Sequence, residues 1–340
     1  MTPAFRIGLA ITVFLVGACD HASRLPEHVL AGPTMGTSFG IKLVAPREGL
    51  SKDVLQQQVI DTLERIENLV STYRSHSEIS LFNASRSTEW IEVSAEFCAV
   101  IEQALAISRR SDGAFDITVG PLVNLWGFGP DNPVEQPPTP EEISAALSRV
   151  GYDRLQTDCA VPAVRKERGD LYVDMSGWAK GYATDQLAEL LDNNSVTDYM
   201  VEIGGEMRVS GHNADNLGWA IAIEAPLDSM RAPQTVMRLT DRGIATSGDY
   251  RNYFDFEGIR YSHTIDARTG WPVAHALAAV TVIDESAAFA DGMATALLVL
   301  GPEAGLALAE KQGIAGYFLV RGETGVEEIT TSLFDAMKNQ

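Results

Sequence analysis

The sequence predicts an α+β fold of mixed, largely antiparallel sheets flanked by helices. In the second half, short β-like runs are joined by brief turns rather than by helices, which argues against a parallel, doubly wound sheet. Helical apolar spacing is confined to separate segments of ordinary length. No GxGxxG follows an early strand and no GxxxxGK(S/T) occurs, so neither a Rossmann nor a P-loop fold is indicated and no lysine is a P-loop lysine.

The N-terminus is a targeting segment. Arg6 precedes an apolar run from Ile7 to Val16, then Gly17, Ala18 and Cys19, and the run is too short to span a membrane comfortably. Val16-Gly17-Ala18-Cys19 resembles a bacterial lipoprotein signal, with residues 1–18 removed and Cys19 lipidated. Asp20 resembles an inner-membrane retention signal, so the expected location is the periplasmic side of the cell inner membrane, held by lipid. Residues 19–27 read as a polar tether and 28–340 as the folded unit, one elaborate domain or two intimate subdomains.

Val29 to Val44 reads as strand, turn, strand around Gly32-Pro33 and Met35-Gly36-Thr37. Ser51 can cap a helix whose Leu55, Val59, Leu63, Ile66 and Val70 follow helical spacing, and a second helix fits Ser94 to Arg110. Pro130 to Pro140 is a proline-rich loop, after which Thr139-Pro140-Glu141-Glu142 opens a short helix with capping-box spacing. Strands are expected at Leu171–Asp174, Tyr199–Ile203, Trp219–Ile223, Thr235–Leu239, Ala278–Ile283 and Ala315–Val320. Helices are expected at Trp178–Leu191, Ser286–Leu300 and Pro302–Lys311, and a short element closes the chain. Ala245–Tyr250 and Tyr261–Gly270 read as polar loops.

With 26 basic and 46 acidic residues the chain carries a formal charge of −20, which argues against nucleic acid as a partner. A phosphate ligand remains compatible if a cation and local donors offset that field. Asp174-Met-Ser-Gly-Trp-Ala-Lys-Gly-Tyr-Ala-Thr-Asp185 runs a carboxylate, a glycine turn and Lys180 into a helix start. Helix starts favour anions. The same stretch also reads as an ordinary turn with Asp174 as cap and Lys180 on the surface.

Asp291 and Thr295 stand one helical turn apart and offer hard oxygen ligands of the kind Mg²⁺ prefers; as a plain helix they would be a cap and a back-bonded hydroxyl. Asp112 to Gly129 mixes aromatics and glycines, either a stacking wall for a flat ring or a packed loop. Val201–Arg208 reaches a Gly204-Gly205 pair that suits a tight turn or a bulge, or close approach to a ligand. His263 is the most interesting histidine, although a lone histidine usually serves structure. Of the two remaining cysteines, Cys98 reads as a small buried hydrophobe within a helix. A disulfide to Cys159 stays open, and cysteine chemistry is not expected.

Eight segments in order resemble the FAD:protein FMN transferase family, the ApbE-like flavin transferases. They are MGT (35–37), STYRSHSEISLFN (71–83), GAFDITVGPLVNLWGFG (113–129), DMSGWAKGYATD (174–185), VEIGGEMRVSG (201–211), ATSGDYRNYF (245–254), YSHTIDARTGWP (261–272) and ADGMATALLVLG (290–301). The resemblance implies an ApbE-like fold and Mg²⁺-dependent transfer of the FMN moiety of FAD to a threonine or serine hydroxyl of an acceptor protein, with release of AMP. It implies FAD contacts from Met35, Tyr73, Ala114, Phe115, Asp116, Asp174, Lys180 and Ile265. The metal would be held by the Gly177 carbonyl, Asp291 and Thr295. His263 is the candidate for activating the acceptor hydroxyl, with Lys180 the second candidate catalytic residue. The acceptors implied are flavoprotein subunits of Rnf-type or sodium-pumping NADH:quinone reductase complexes, or other exported flavoproteins. Two alternatives use the same residues: an FAD pyrophosphatase giving FMN and AMP, and a non-catalytic FAD-binding lipoprotein. Met175, Trp178 and Gly292 depart from the family's usual smaller, aliphatic or alanine residues, and Gly292 is expected to loosen the metal-bearing turn by less than ~1 kcal/mol.

Overall fold

The computed structural model describes residues 24–46, 49–130, 134, 136–226, 232–250, 252–323 and 325–338. The signal segment, Cys19 and the start of the tether lie outside the described residues, as does part of the proline-rich loop.

The chain opens with a hairpin, β1 (Glu27–Thr34) and β2 (Thr37–Val44), around Met35-Gly36. Both turn residues have positive φ, 48° and 71°, the two-residue geometry that matches strand twist. Helix α1 (Lys52–Val70) starts at Ser51, whose hydroxyl accepts from the Val54 N–H, and it buries the five apolar residues its spacing predicts. Next come α2 (Glu78–Ala84), β3 (Ile91–Glu92), α3 (Ala95–Arg110), α4 (Gly120–Leu125), α5 (Pro140–Leu147), β4 (Leu155–Asp158) and β5 (Ala163–Lys166). Thr139 and Glu142 close the expected capping box of α5.

Helix α6 (Ala179–Asn193) leads into the hairpin β6 (Tyr199–Ile203) and β7 (Glu206–Ser210), the ribbon β8 (Trp219–Glu224) and β9 (Pro233–Leu239), and β10 (Arg242–Gly248). A second ribbon, β11 (Tyr253–Phe256) and β12 (Ile259–Ser262), precedes β13 (Leu277–Asp284) and α7 (Ala287–Gln312). The chain closes with β14 (Ala315–Gly322), β15 (Gly325–Thr330) and α8 (Ser332–Lys338). Helix α7 breaks where the sequence predicts two helices: Gly301 is non-helical, with φ 80°, ahead of Pro302.

Eight strands form one sheet in the order β1-β2-β6-β7-β10-β13-β14-β15, every neighbouring pair antiparallel. The main core joins this sheet to α1, α3, α6 and α7. Although α7 is long and apolar enough to cross a membrane, Ala290, Met293, Ala294, Leu297 and Leu298 are fully buried, so it is a core helix. A second core forms where Trp219, Ile221, Ile223 and Met237 of the β8–β9 ribbon meet Val209, Ile244 and Tyr317 of the sheet. Trp126, fully buried, anchors a third cluster with Leu122, Ile143 and Ile265, and its indole N–H donates to the Gly270 carbonyl.

Three expectations need correction. Leu171–Asp174 joins no strand ladder. Instead the Asn83 amide takes a strand's place, accepting from the Val173 N–H and donating to the Val173 carbonyl, each at 2.8 Å. The supposed polar loop at Ala245–Tyr250 is for the most part β10, fully paired with β13, and the one at Tyr261–Gly270 begins in β12. Cys98 is buried as expected, and the disulfide to Cys159 that the sequence left open is formed: the β4–β5 hairpin carries Cys159 against the start of α3 with the Cα atoms 5.7 Å apart. At Gly292 a Cβ would lie 2.6 Å from Ile107 Cδ1 and 3.2 Å from Trp178 Cδ1, so the bulky Trp178 and the missing methyl complement each other.

Candidate active site

A cleft of about 1290 Å³ opens where the β1–β2 and β6–β7 turns, the start of α6, the end of β10 and one face of α7 converge. Met35, Tyr73, Asp174, Gly177, Lys180, His263, Ile265, Asp291 and Thr295 all line it. Ala114, Phe115 and Asp116 do not line it and are buried. Asp116 braces its own loop, accepting from the Thr118 N–H and hydroxyl and from the Tyr152 N–H. The side chain of Phe115 packs behind Gly177.

The floor is built by two helices that cap each other. Asp185 of α6 accepts from the Ser286 hydroxyl and from the N–H groups of Ala287 and Ala288 at the start of α7. In return Asp291 of α7 accepts from the Gly181 N–H in the first turn of α6 at 2.9 Å. Only glycine permits this approach, since a Cβ on Gly181 would sit 2.4 Å from the Ala287 carbonyl oxygen and 2.7 Å from Asp291 Cβ. The anion at the start of α6 is therefore a carboxylate of the protein itself. Asp174 does not cap α6 either; it accepts from the Ser176 N–H in a local turn.

One turn beyond Asp291, the Thr295 hydroxyl lies 3.4 Å from the Gly177 carbonyl oxygen and 3.1 Å from Ser247 Oγ. Among the described residues no three His, Cys, Asp or Glu side chains are arranged so that they alone could hold a metal ion. A cation here would meet one carboxylate, one hydroxyl and one carbonyl, a hard oxygen set with sites left over, which fits Mg²⁺.

Lys180 reaches into the same floor, its Nζ 2.6 Å from Glu206 Oε1. Burial by itself would lower the Lys180 pKa, but Asp291, Glu206 and Glu202 outweigh it and hold the ammonium charged. Burial pushes the Glu206 carboxyl up, helped by the Asp291 charge and opposed by Lys180. It pushes Asp291 up too, against Lys180 and the Gly181 N–H. Burial thus holds both acids back from ionising until positive charge beyond Lys180 joins them on the floor.

The rim is built differently. Glu67 accepts from the Met35 N–H and the Thr34 hydroxyl, both at 3.0 Å, and so holds the first hairpin turn over the cleft. The Tyr73 ring is 68 % exposed; partial burial and the negative charge of Asp174 raise its phenol pKa. His263 Nδ1 lies 2.9 Å from the Asn252 carbonyl oxygen. A carbonyl only accepts, so Nδ1 carries the hydrogen and Nε2 of the neutral ring is the free base. Burial lowers the His263 pKa, and Lys180 adds to that, so the ring is neutral at pH 7.

Sequence reasoning missed Glu206 and Ser247 on the floor and Asn83 behind Asp174. Each stood inside a quoted motif, which was the available signal, but their partners are remote in the chain.

Asp291, the Thr295 hydroxyl, the Gly177 carbonyl and the Lys180 ammonium thus share one side of a cleft large enough for a nucleotide, with the His263 imidazole on its rim. A family model described as the ApbE family matches residues 35–318, and the chain belongs to that family. It is 41 % identical over 328 residues to an FAD:protein FMN transferase of Vibrio cholerae, covering 96 % of this chain and 97 % of that one. It is 39 % identical over 326 residues to the protein of the same name in Escherichia coli K12, covering 92 % and 91 %. The solved structure of the flavin transferase ApbE from Vibrio cholerae superposes with a TM-score of 0.86 at 40 % identity, covering 92 % of this chain and 99 % of that one. The apo flavinyl transferase ApbE of Pseudomonas stutzeri gives 0.85 at 41 % identity, covering 93 % and 98 %. The chain is thus an enzyme, an FAD:protein FMN transferase, with FAD as its substrate.

Proposed function

We propose that the enzyme works with Mg²⁺, splits FAD at its pyrophosphate, transfers the FMN moiety to a threonine or serine hydroxyl of an exported flavoprotein and releases AMP. The observation that carries this reading is the convergence of Gly177 O, Thr295 Oγ1, Asp291 and Lys180 on one floor of an otherwise acidic cleft. Gly177, Asp291 and Thr295 would hold the ion, which supplies positive charge against the pyrophosphate oxygens when bound. The Lys180 ammonium adds charge from the same side.

The residues then divide the work. Met35, Tyr73, Asp174 and Ile265 orient FAD along the cleft. His263 Nε2 takes the proton of the acceptor hydroxyl as its oxygen bonds to the phosphorus of the FMN half, and the bond from that phosphorus to the AMP oxygen breaks. AMP leaves as the phosphate monoester. Phe115 packs behind Gly177, and next to it Ile117 supports Asp174, whose N–H donates to the Ile117 carbonyl.

The reading also places the chain on the periplasmic side of the inner membrane, anchored through a lipid on Cys19. Its acceptors there would be Rnf-type or sodium-pumping NADH:quinone reductase subunits or other exported flavoproteins. Full-length protein in detergent, incubated with FAD, Mg²⁺ and such a subunit, tests the chemistry. FMN on the acceptor with AMP released supports transfer. Free FMN with an unlabelled acceptor means that water takes the hydroxyl's place, and intact FAD means binding alone.

A further inference from the structure

Glu206 has unfinished bonding. Only 2 % of the residue is exposed; Oε1 is 2.6 Å from Lys180 Nζ, while Oε2 is buried in the cleft wall with no hydrogen-bond partner. A buried carboxylate oxygen without a donor is costly and persists where a ligand completes it. The β6–β7 turn accounts for the placement. Gly204 and Gly205 adopt φ 60° and 111°, a two-residue turn that returns the chain at Glu206, and Gly204 lies against the Lys180 stem, where a Cβ would be 3.4 Å from Cδ.

We propose that Glu206 is a positioning residue of the cation site: Oε1 fixes the Lys180 ammonium, and Oε2 accepts a hydrogen bond from the water shell of the divalent ion held by Gly177, Asp291 and Thr295. This rests on the metal reading above. Mg²⁺ bound by few protein ligands keeps several waters, and each is a donor with nowhere to donate unless an acceptor waits beside it. Outer-shell acceptors of this kind change metal affinity by about 10–100-fold. Through Oε1, Glu206 also holds Lys180 beside the ion rather than in its place.

Glu206→Gln isolates the claim. The amide oxygen still accepts from Lys180, but the NH₂ group now points donors where water hydrogens would go. The full-length protein, free of FAD, is titrated with Mn²⁺ by calorimetry and by the EPR signal of free Mn²⁺, and its melting temperature is recorded without metal. The expected result is Mn²⁺ affinity weakened about tenfold, with any fall in metal-free Tm traced to the lost Lys180 ion pair. Wild-type Mn²⁺ affinity in E206Q would overturn the proposal. So would a lower metal-free Tm with an equal loss of metal-free FAD binding, which would make Glu206 a residue of the fold alone. Wild-type protein that takes up no Mn²⁺ would bring down the metal reading itself.

Discussion

At one end of the cleft the polar groups sit on two packed helices, and at the other they sit on turns and ribbons. Asp291, Thr295 and Lys180 are held by α6 and α7, whose starts are capped by each other's carboxylates and whose contact tolerates only glycine at position 181. Met35, Tyr73 and His263 stand on a hairpin turn, a loop and the end of a ribbon, each fixed by one or two hydrogen bonds or by none beyond exposure. Charge neutralisation at phosphorus demands fixed positions, so it belongs on rigid elements; a large substrate and a protein acceptor must enter and leave, so their contacts sit on the more adaptable rim.

The contrast is tested most severely at the floor. Asp291→Ala should cut transfer by roughly 100–1000-fold and abolish its response to Mg²⁺, as removal of a preorganised charge-stabilising group does. A steady-state assay of AMP release at several Mg²⁺ concentrations measures it. His263→Gln, on the rim, should cost about 100-fold through lost base catalysis while leaving FAD and metal affinity unchanged.

The wild-type pH profile carries a related signature. Because burial lowers the His263 pKa, the base is deprotonated above it, so the acid limb of the rate profile should be centred below pH 6.5. A limb centred above 6.5 that disappears in His263→Gln would contradict the assigned environment.

Tyr73→Ala should raise the KM for FAD only a few-fold with kcat nearly intact, since an exposed ring contributes ~0.5–1.5 kcal/mol of stacking. The smallest effect on chemistry is expected from removing Cys98 and Cys159 together. Their bond closes a 61-residue separation at the start of α3, and neither cysteine lines the cleft, so stability should fall by about 4 kcal/mol while the folded fraction keeps its turnover. Chemical denaturation followed by an assay at matched folded fraction separates the two.

Much of the fold was legible because apolar spacing and caps are local. Ser51 and the Leu55–Val70 stripe announced α1, Thr139 and Glu142 announced α5, and Gly301-Pro302 announced the break in α7. Strand β10 was not legible, because Thr246, bonded to Thr281, and Ser247, bonded to Thr295, are consecutive polar residues on opposite faces and so erase the alternation that marks a strand. Leu171–Asp174 misled for the converse reason: its composition suits a strand, but the Asn83 side chain supplies the partner. The site motifs located the cleft, and Met35, Lys180, Asp291 and Thr295 all fall within it. Ala114–Asp116 do not line it, and the Glu206–Lys180 pair and the Cys98–Cys159 bond depend on contacts between remote segments that no local pattern encodes.

The most direct test of the account is to count products with and without the metal. Full-length protein, FAD and an acceptor flavoprotein subunit are incubated with Mg²⁺ or with EDTA, and acceptor mass and released AMP are measured together. The account predicts one AMP for each FMN attached in Mg²⁺ and neither product in EDTA. Acceptor labelling that proceeds undiminished in EDTA would contradict it.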